Sequence, residues 1–152
     1  MRQKIGESRS KFRDNRALMS HDSHERTNLP NWPGIELVIV IAPQMGAKFS
    51  QFFAHMPARS IAHPPLEGME RFIFVLDGEV ELSIEGSIHK LQEEGYAFLP
   101  NDRNYQINAQ IDTRLIVLER PFVQLEGQPT PKLHVANAKK LTAVPMKGDD
   151  ML

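Results

Sequence analysis

The residues of this chain that could do chemistry are few: six histidines, the adjacent Glu70-Arg71 pair, scattered polar side chains in apolar stretches, and no cysteine. Lacking cysteine, the chain has no thiol nucleophile, disulfide or zinc ribbon. What remains is metal ligation by histidine and carboxylate, or anion binding by arginine. In Ser20-His21-Asp22-Ser23-His24 two histidines stand three apart, but in a polar segment near the terminus the plain expectation is a solvated surface arm. His55, His63, Glu70 and His89 are the other donors available to a metal. Gln51, Arg71 and Tyr105 could instead line a small polar pocket for an anion. The simpler expectation is that Arg71 pairs with Glu70, Asp77 or another carboxylate at the rim of the fold.

These residues sit in a series of short strands. Residues 1–34 are polar and end in Leu29-Pro30-Asn31-Trp32-Pro33-Gly34, which excludes a helix there and suggests an arm pinned by Trp32. Strands are expected at 36–42, 47–56, 71–76, 80–85, 88–91, 96–99, 105–109 and 114–118. Phe49, Phe53 and His55 would share a face, and Arg71–Leu76 is apolar enough for burial on both faces. Val80, Leu82 and Ile84 alternate with charged or hydroxyl residues, Glu85-Gly86-Ser87 supplies a tight turn, and His89 would face the polar side. Eight short strands with turn signals between them, and no useful helical period, predict an all-β sandwich, jelly roll or barrel over 35–120. Beyond Arg120, four prolines predict an extended strap or linker over 121–152, with one short strand at Lys139-Lys140-Leu141.

Composition narrows the partners. A formal net charge of −1 carries no electrostatic footprint for nucleic acid or an anionic membrane. The longest apolar run, Leu37 to Ala42, is far short of the ~20 residues that span a bilayer. With no apolar run in the first residues to serve as a signal core, the expectation is a soluble, cytoplasmic protein.

Two stretches resemble the motifs of the cupins. Arg71-Phe72-Ile73-Phe74-Val75-Leu76-Asp77-Gly78-Glu79-Val80 is similar to the cupin strand, glycine turn and next strand. Gly95-Tyr96-Ala97-Phe98-Leu99-Pro100-Asn101-Asp102 is similar to the second motif, with its short strand and proline turn. The resemblance implies a double-stranded β-helix barrel. Metal-binding cupins place two histidines, a carboxylate and a further histidine at positions that fall here near Pro65 and Glu67, at Arg71 and at Tyr105. A guanidinium repels a cation and proline has no ligand atom, so no metal is expected in this barrel. A metal-independent cupin enzyme, such as a sugar isomerase, would need an acid/base pair inside the barrel, and no His–Asp couple stands out.

A closer resemblance follows from Asp14-Asn15-Arg16-Ala17-Leu18, Pro43-Gln44-Met45-Gly46-Ala47-Lys48-Phe49, Gly68-Met69-Glu70-Arg71-Phe72, Glu94-Gly95-Tyr96-Ala97-Phe98-Leu99-Pro100 and Glu119-Arg120-Pro121-Phe122. These resemble the amino-terminal half of the (S)-ureidoglycine aminohydrolases. The resemblance implies a two-cupin hydrolase of purine (allantoin, ureide) breakdown that converts (S)-ureidoglycine to (S)-ureidoglycolate and ammonia. Manganese would be held in the carboxyl-terminal cupin, and the amino-terminal one would be metal-free. The chain ends at Asp149-Asp150-Met151-Leu152 with no capping element, as such a half would. No catalytic residue carries over, and no cofactor is expected in this chain. The expected partners are a second cupin domain or homologous subunit, within a homo-oligomer. The alternative is a free-standing, non-enzymatic cupin that binds a small molecule.

Overall fold

A computed structural model describes residues 10–13, 16–20 and 23–142. His21 and Asp22 of the histidine-bearing arm segment, the Asp14-Asn15 pair and the tail Asp149-Asp150-Met151-Leu152 lie outside the described residues. Among the described residues there are thirteen strands: β1 (Lys11–Arg13), β2 (Arg16–Leu18), β3 (Arg26–Thr27), β4 (Glu36–Ile41), β5 (Ser50–Met56), β6 (Ile61–Ala62), β7 (Met69–Asp77), β8 (Glu79–Ile84), β9 (Ser87–Gln92), β10 (Gly95–Leu99), β11 (Tyr105–Ala109), β12 (Thr113–Pro121) and β13 (His134–Asn137). The only helical turns among the described residues are short 3-10 segments. None is long and apolar enough to cross a membrane.

The strands build two antiparallel sheets. One has seven strands in the order β13-β10-β7-β12-β5-β4-β3, the other four in the order β6-β11-β8-β9, and β1 and β2 pair with each other. Alternation along each strand sends one set of side chains inward. Phe52, Ala54 and Met56 of β5, Ile73 and Val75 of β7, and Leu115 and Val117 of β12 meet Val80, Leu82 and Ile84 of β8 and Ile107 of β11 in one continuous core. This is the double-stranded β-helix that the two motifs predict.

Local chemistry sets the corners. Glu85 and Gly86 both have positive φ, +50° and +77°, the two-residue turn whose twist suits a hairpin. Between β7 and β8 the chain turns at Gly78, φ +94°.

Three expectations need correction. Burial of Arg71–Leu76 on both faces does not hold: Arg71, Ile73 and Val75 are buried, while Phe72 and Phe74 lie half-buried on the outer face of the large sheet. In β9, His89 pairs with Leu82 on the inward side and Ile88 is 64% exposed, the reverse of the expected alternation. The strap's strand is His134–Asn137, paired with β10, and Ala138–Lys140 is a 3-10 turn instead. The Asn137 side chain accepts from the Lys139 amide at 3.0 Å, and such local capping competes with strand pairing.

Candidate functional site

Arg71 organises the interior. It is in phase with Ile73 and Val75, so β7 drives its guanidinium inward, where it is 1% exposed. Register places Glu119 of β12 directly opposite. Nε of Arg71 donates to Glu119 Oε1 at 2.7 Å, and Nη2 lies 2.6 Å from the same oxygen, out of line for a hydrogen bond. Nη1 donates to the His63 carbonyl at 2.8 Å. The guanidinium carbon sits 4.8 Å from the Trp32 ring centre and 5.6 Å from that of Tyr105, between two aromatic rings. Trp32 in turn meets Phe52 edge-on at 5.5 Å.

The amino-terminal arm and the loop after β6 close this end of the barrel. Asn31 O accepts from the His63 amide at 2.9 Å, and Asn31 Nδ2 donates to Pro64 O at 3.4 Å. A cavity of about 420 Å³ at the mouth is lined by Pro64, Pro65, Glu67, Met69, Pro100, Asn104 and Tyr105 among others. Of the positions that the cupin resemblance marks as ligand positions, Pro65, Glu67 and Tyr105 line this mouth, and Arg71 lies beneath it against the Tyr105 ring.

Burial pushes the Tyr105 phenol up from its ordinary 10 to about 12, the Glu119 charge adding to the rise and Arg71 opposing it. The folded state thus holds the proton longer than the unfolded chain. This contribution to stability is fully present below about 10 and is lost as pH rises through about 12. A phenolate absorbance titration is expected to show a transition near 12 that Tyr105→Phe abolishes. Because Tyr96 also absorbs, the difference from Tyr105→Phe is the readout, and a variant that lost absorbance change at the ordinary value instead would mean that the Tyr105 ring is not buried in solution.

The residues singled out by sequence divide by strand phase. Arg71 and Tyr105 come together, whereas Gln51 pairs with Leu118 on the outer face of the large sheet. Of the carboxylates expected to pair with Arg71, the one that does is neither Glu70 nor Asp77 but another, Glu119: Glu70 is the next residue along β7 and points to the opposite face, and Asp77 lies at the far end of the strand. Glu70, 3% exposed, pairs with Arg120 on the outer face, and Asp77 lies 3.8 Å from Arg114. Glu119 and Trp32 were not legible as site residues. The one signal for Glu119 is its phase, continuing the inward series Leu115, Val117 at steps of two.

His55, His63, Glu70 and His89 are dispersed. His55 is exposed on β5, and His63 contributes only backbone. Among the described residues, no three His, Asp or Glu side chains are grouped to hold a metal. The interior does not fit a divalent cation: a guanidinium occupies the centre, and a phenol with a raised pKa is a poor anionic ligand.

On the outer face, Phe49, Phe72, Phe98 and Leu118 surround Glu70 and Arg120 in a recess of about 300 Å³. Phe72 and Tyr96 continue this aromatic surface, ring centres 5.8 Å apart, and His134 of β13 lies 5.8 Å from Tyr96.

No protein-family model matches the chain. A rice protein (Oryza sativa subsp. japonica) curated as "Probable (S)-ureidoglycine aminohydrolase" is 33% identical over 95% of this chain and 47% of its own length. The (S)-ureidoglycine aminohydrolase of Arabidopsis thaliana is 30% identical over 95% of this chain and 48% of its own length. That of Escherichia coli K12 is 28% identical over 90% and 53%. The chain thus spans about half the length of the curated relatives it matches. Among solved structures, the E. coli protein Ylba superposes with a TM-score of 0.78 at 25% identity, over 90% of this chain and 58% of that one. An RmlC-like cupin from Shewanella frigidimarina shares the fold alone, with a TM-score of 0.57 at 12% identity over 68% and 88% of the two chains. The chain is a cupin that resembles the (S)-ureidoglycine aminohydrolase family over the length of one half of those proteins.

Proposed function

We propose that this chain serves as the metal-free, non-catalytic amino-terminal cupin of a (S)-ureidoglycine aminohydrolase-type protein, acting in cytoplasmic purine (ureide) catabolism. Hydrolysis to ureidoglycolate and ammonia, with its manganese, would belong to a second cupin supplied by a further domain or a homologous subunit. The observation that carries this reading is the Arg71–Glu119 pair, which fills the barrel where a metal-binding cupin gathers its ligands. In this reading residues 1–34 form an arm, 35–120 the barrel and 121–152 a strap toward the second cupin.

A structural and oligomerising role is supported by the outer face of the large sheet. Its half-buried Phe72, Phe74, Tyr96 and Phe98 form contiguous apolar surface of the kind that marks an interaction site. The purified chain with added manganese is expected to release no ammonia from freshly generated (S)-ureidoglycine, and manganese-dependent release would overturn the assignment. Sedimentation is expected to show self-association that Phe72→Glu with Phe98→Glu abolishes. A wild-type chain that stays monomeric at high concentration would remove the oligomerising role.

A further inference from the structure

The bulkiest of the fully buried side chains among the described residues comes from no barrel strand. Trp32 lies in the loop between β3 and β4 and is 0% exposed. Its ring meets Phe52 of β5 edge-on, centres 5.5 Å apart, and the Arg71 guanidinium of β7 lies over its face at 4.8 Å. Phe52 and Arg71 are both inward residues of the large sheet, so the indole fills volume that the barrel strands enclose. It is held there by its faces and its bulk. Trp32 Nε1 is buried with no hydrogen-bond partner, which opposes burial instead of favouring it. A cation over one face and an edge-on ring beside it are the contacts by which any planar aromatic molecule is held.

The loop that carries this ring is tied more lightly than the barrel around it. It turns on itself through the Trp32 amide to Leu29 O at 2.9 Å and the Ile35 amide to Trp32 O at 3.2 Å. Asn31 joins it to the loop after β6 by the two bonds already described. Before it, β3 pairs with β4 at two positions only, whereas β12 pairs with β5 at seven and with β7 at eight. Segments with few pairings open before the strands they lean on. Arg71 is already neutralised by Glu119, so a charged ring in the place of the indole would stand uncompensated away from water. We propose that Trp32 is a removable plug: the barrel holds a site for a planar, uncharged aromatic ring against Phe52 and Arg71, and the arm's own indole closes it to ligands from outside.

Two measurements on the full chain test this. Trp32 is the only tryptophan, so its fluorescence reports the exposure of the plug alone. In urea its emission is expected to shift to the red at a midpoint roughly 0.5 M or more below the loss of strand signal in circular dichroism. Coincident transitions would make the indole part of the cooperative core and sink the plug. Trp32→Gly leaves a cavity of the indole's own shape. Free indole, at about tenfold over its Kd, is expected to raise the thermal midpoint of that variant by roughly 3–6 °C, read by calorimetry, and to leave the wild-type chain unmoved. Trp32→Phe keeps a ring in the site and is expected to gain less than half as much. No gain in Trp32→Gly, an equal gain in the wild type or in Trp32→Phe, or a Trp32→Gly chain that stays unfolded in indole would each overturn the proposal. None of these readouts involves ammonia release or self-association, so they fail independently of the proposed role.

Discussion

Arg71→Met is expected to destabilise the fold by about 3–5 kcal/mol, measured as a lower urea midpoint at unchanged slope. The Glu119 side chain is 11% exposed and receives its in-line hydrogen bond from Arg71 Nε. Remove the guanidinium and a largely buried carboxylate is left without the counter-charge that paired it. The Nη1 bond to His63 O is lost as well, and with it a tie to the loop at the barrel mouth. The double replacement Arg71→Met with Glu119→Leu separates the pair from its halves. It takes both charges out together, and an apolar pair of similar volume is often neutral or stabilising by about 1–4 kcal/mol relative to a buried ion pair. Most of the single-mutant loss should therefore return. If Arg71→Met alone left the urea midpoint unchanged, Glu119 would have to be reaching water, and the clamp would not be a buried pair.

Gly78→Ala is expected to be comparably damaging, roughly 2–6 kcal/mol, for a different reason. At φ +94° an L side chain is strained, and a Cβ built there would lie 2.4 Å from Thr113 Oγ1 and 2.7 Å from the Asp112 carbonyl. Thr113 cannot swing aside freely. Its hydroxyl accepts from the Glu79 amide at 3.0 Å and lies 2.9 Å from the Ile111 carbonyl, to which it donates. The added methyl would therefore disturb the start of β8 and β12 together. Gly86→Ala is the matched control: φ is +77° but nothing lies within 4 Å of where the methyl would sit, so only the backbone strain remains, about 1–2 kcal/mol. Thermal midpoints of the two variants should differ clearly. Equal losses would show that left-handed strain alone, not the contact with Thr113, explains both.

The eight barrel strands expected from the sequence are all present, with ends displaced by at most three residues and Tyr105–Ala109 matched at both ends. They were legible because period-two alternation and turn residues are local properties of the chain. The strands missed are short or lie in the arm and strap: β1, β2, β3, β6 and β13 each have two to four residues. Such strands exist because a neighbour's edge is there to pair with, and a few residues carry too little pattern to announce it. The aromatic outer face of Phe72, Phe74, Tyr96 and Phe98 was ambiguous for a related reason, since a strand rich in Phe and Ile looks the same whether its second face meets a core or awaits a partner.

By itself the sequence determined the all-β class through the alternation and turn residues along one chain. Its resemblance to the cupins added the two motif corners and the placement of Arg71 and Tyr105 at positions where metal-binding cupins carry ligands. Only the tertiary structure decided what Arg71 does. Its partner Glu119 is 48 residues away, brought opposite by the register of β7 with β12, and Trp32 arrives from the arm to cover it. Glu70 and Gln51, near Arg71 by sequence or by type, are carried to the other face by the pleat of their strands. Long-range register and facing are set by the closure of the whole barrel, and no local stretch of residues contains them.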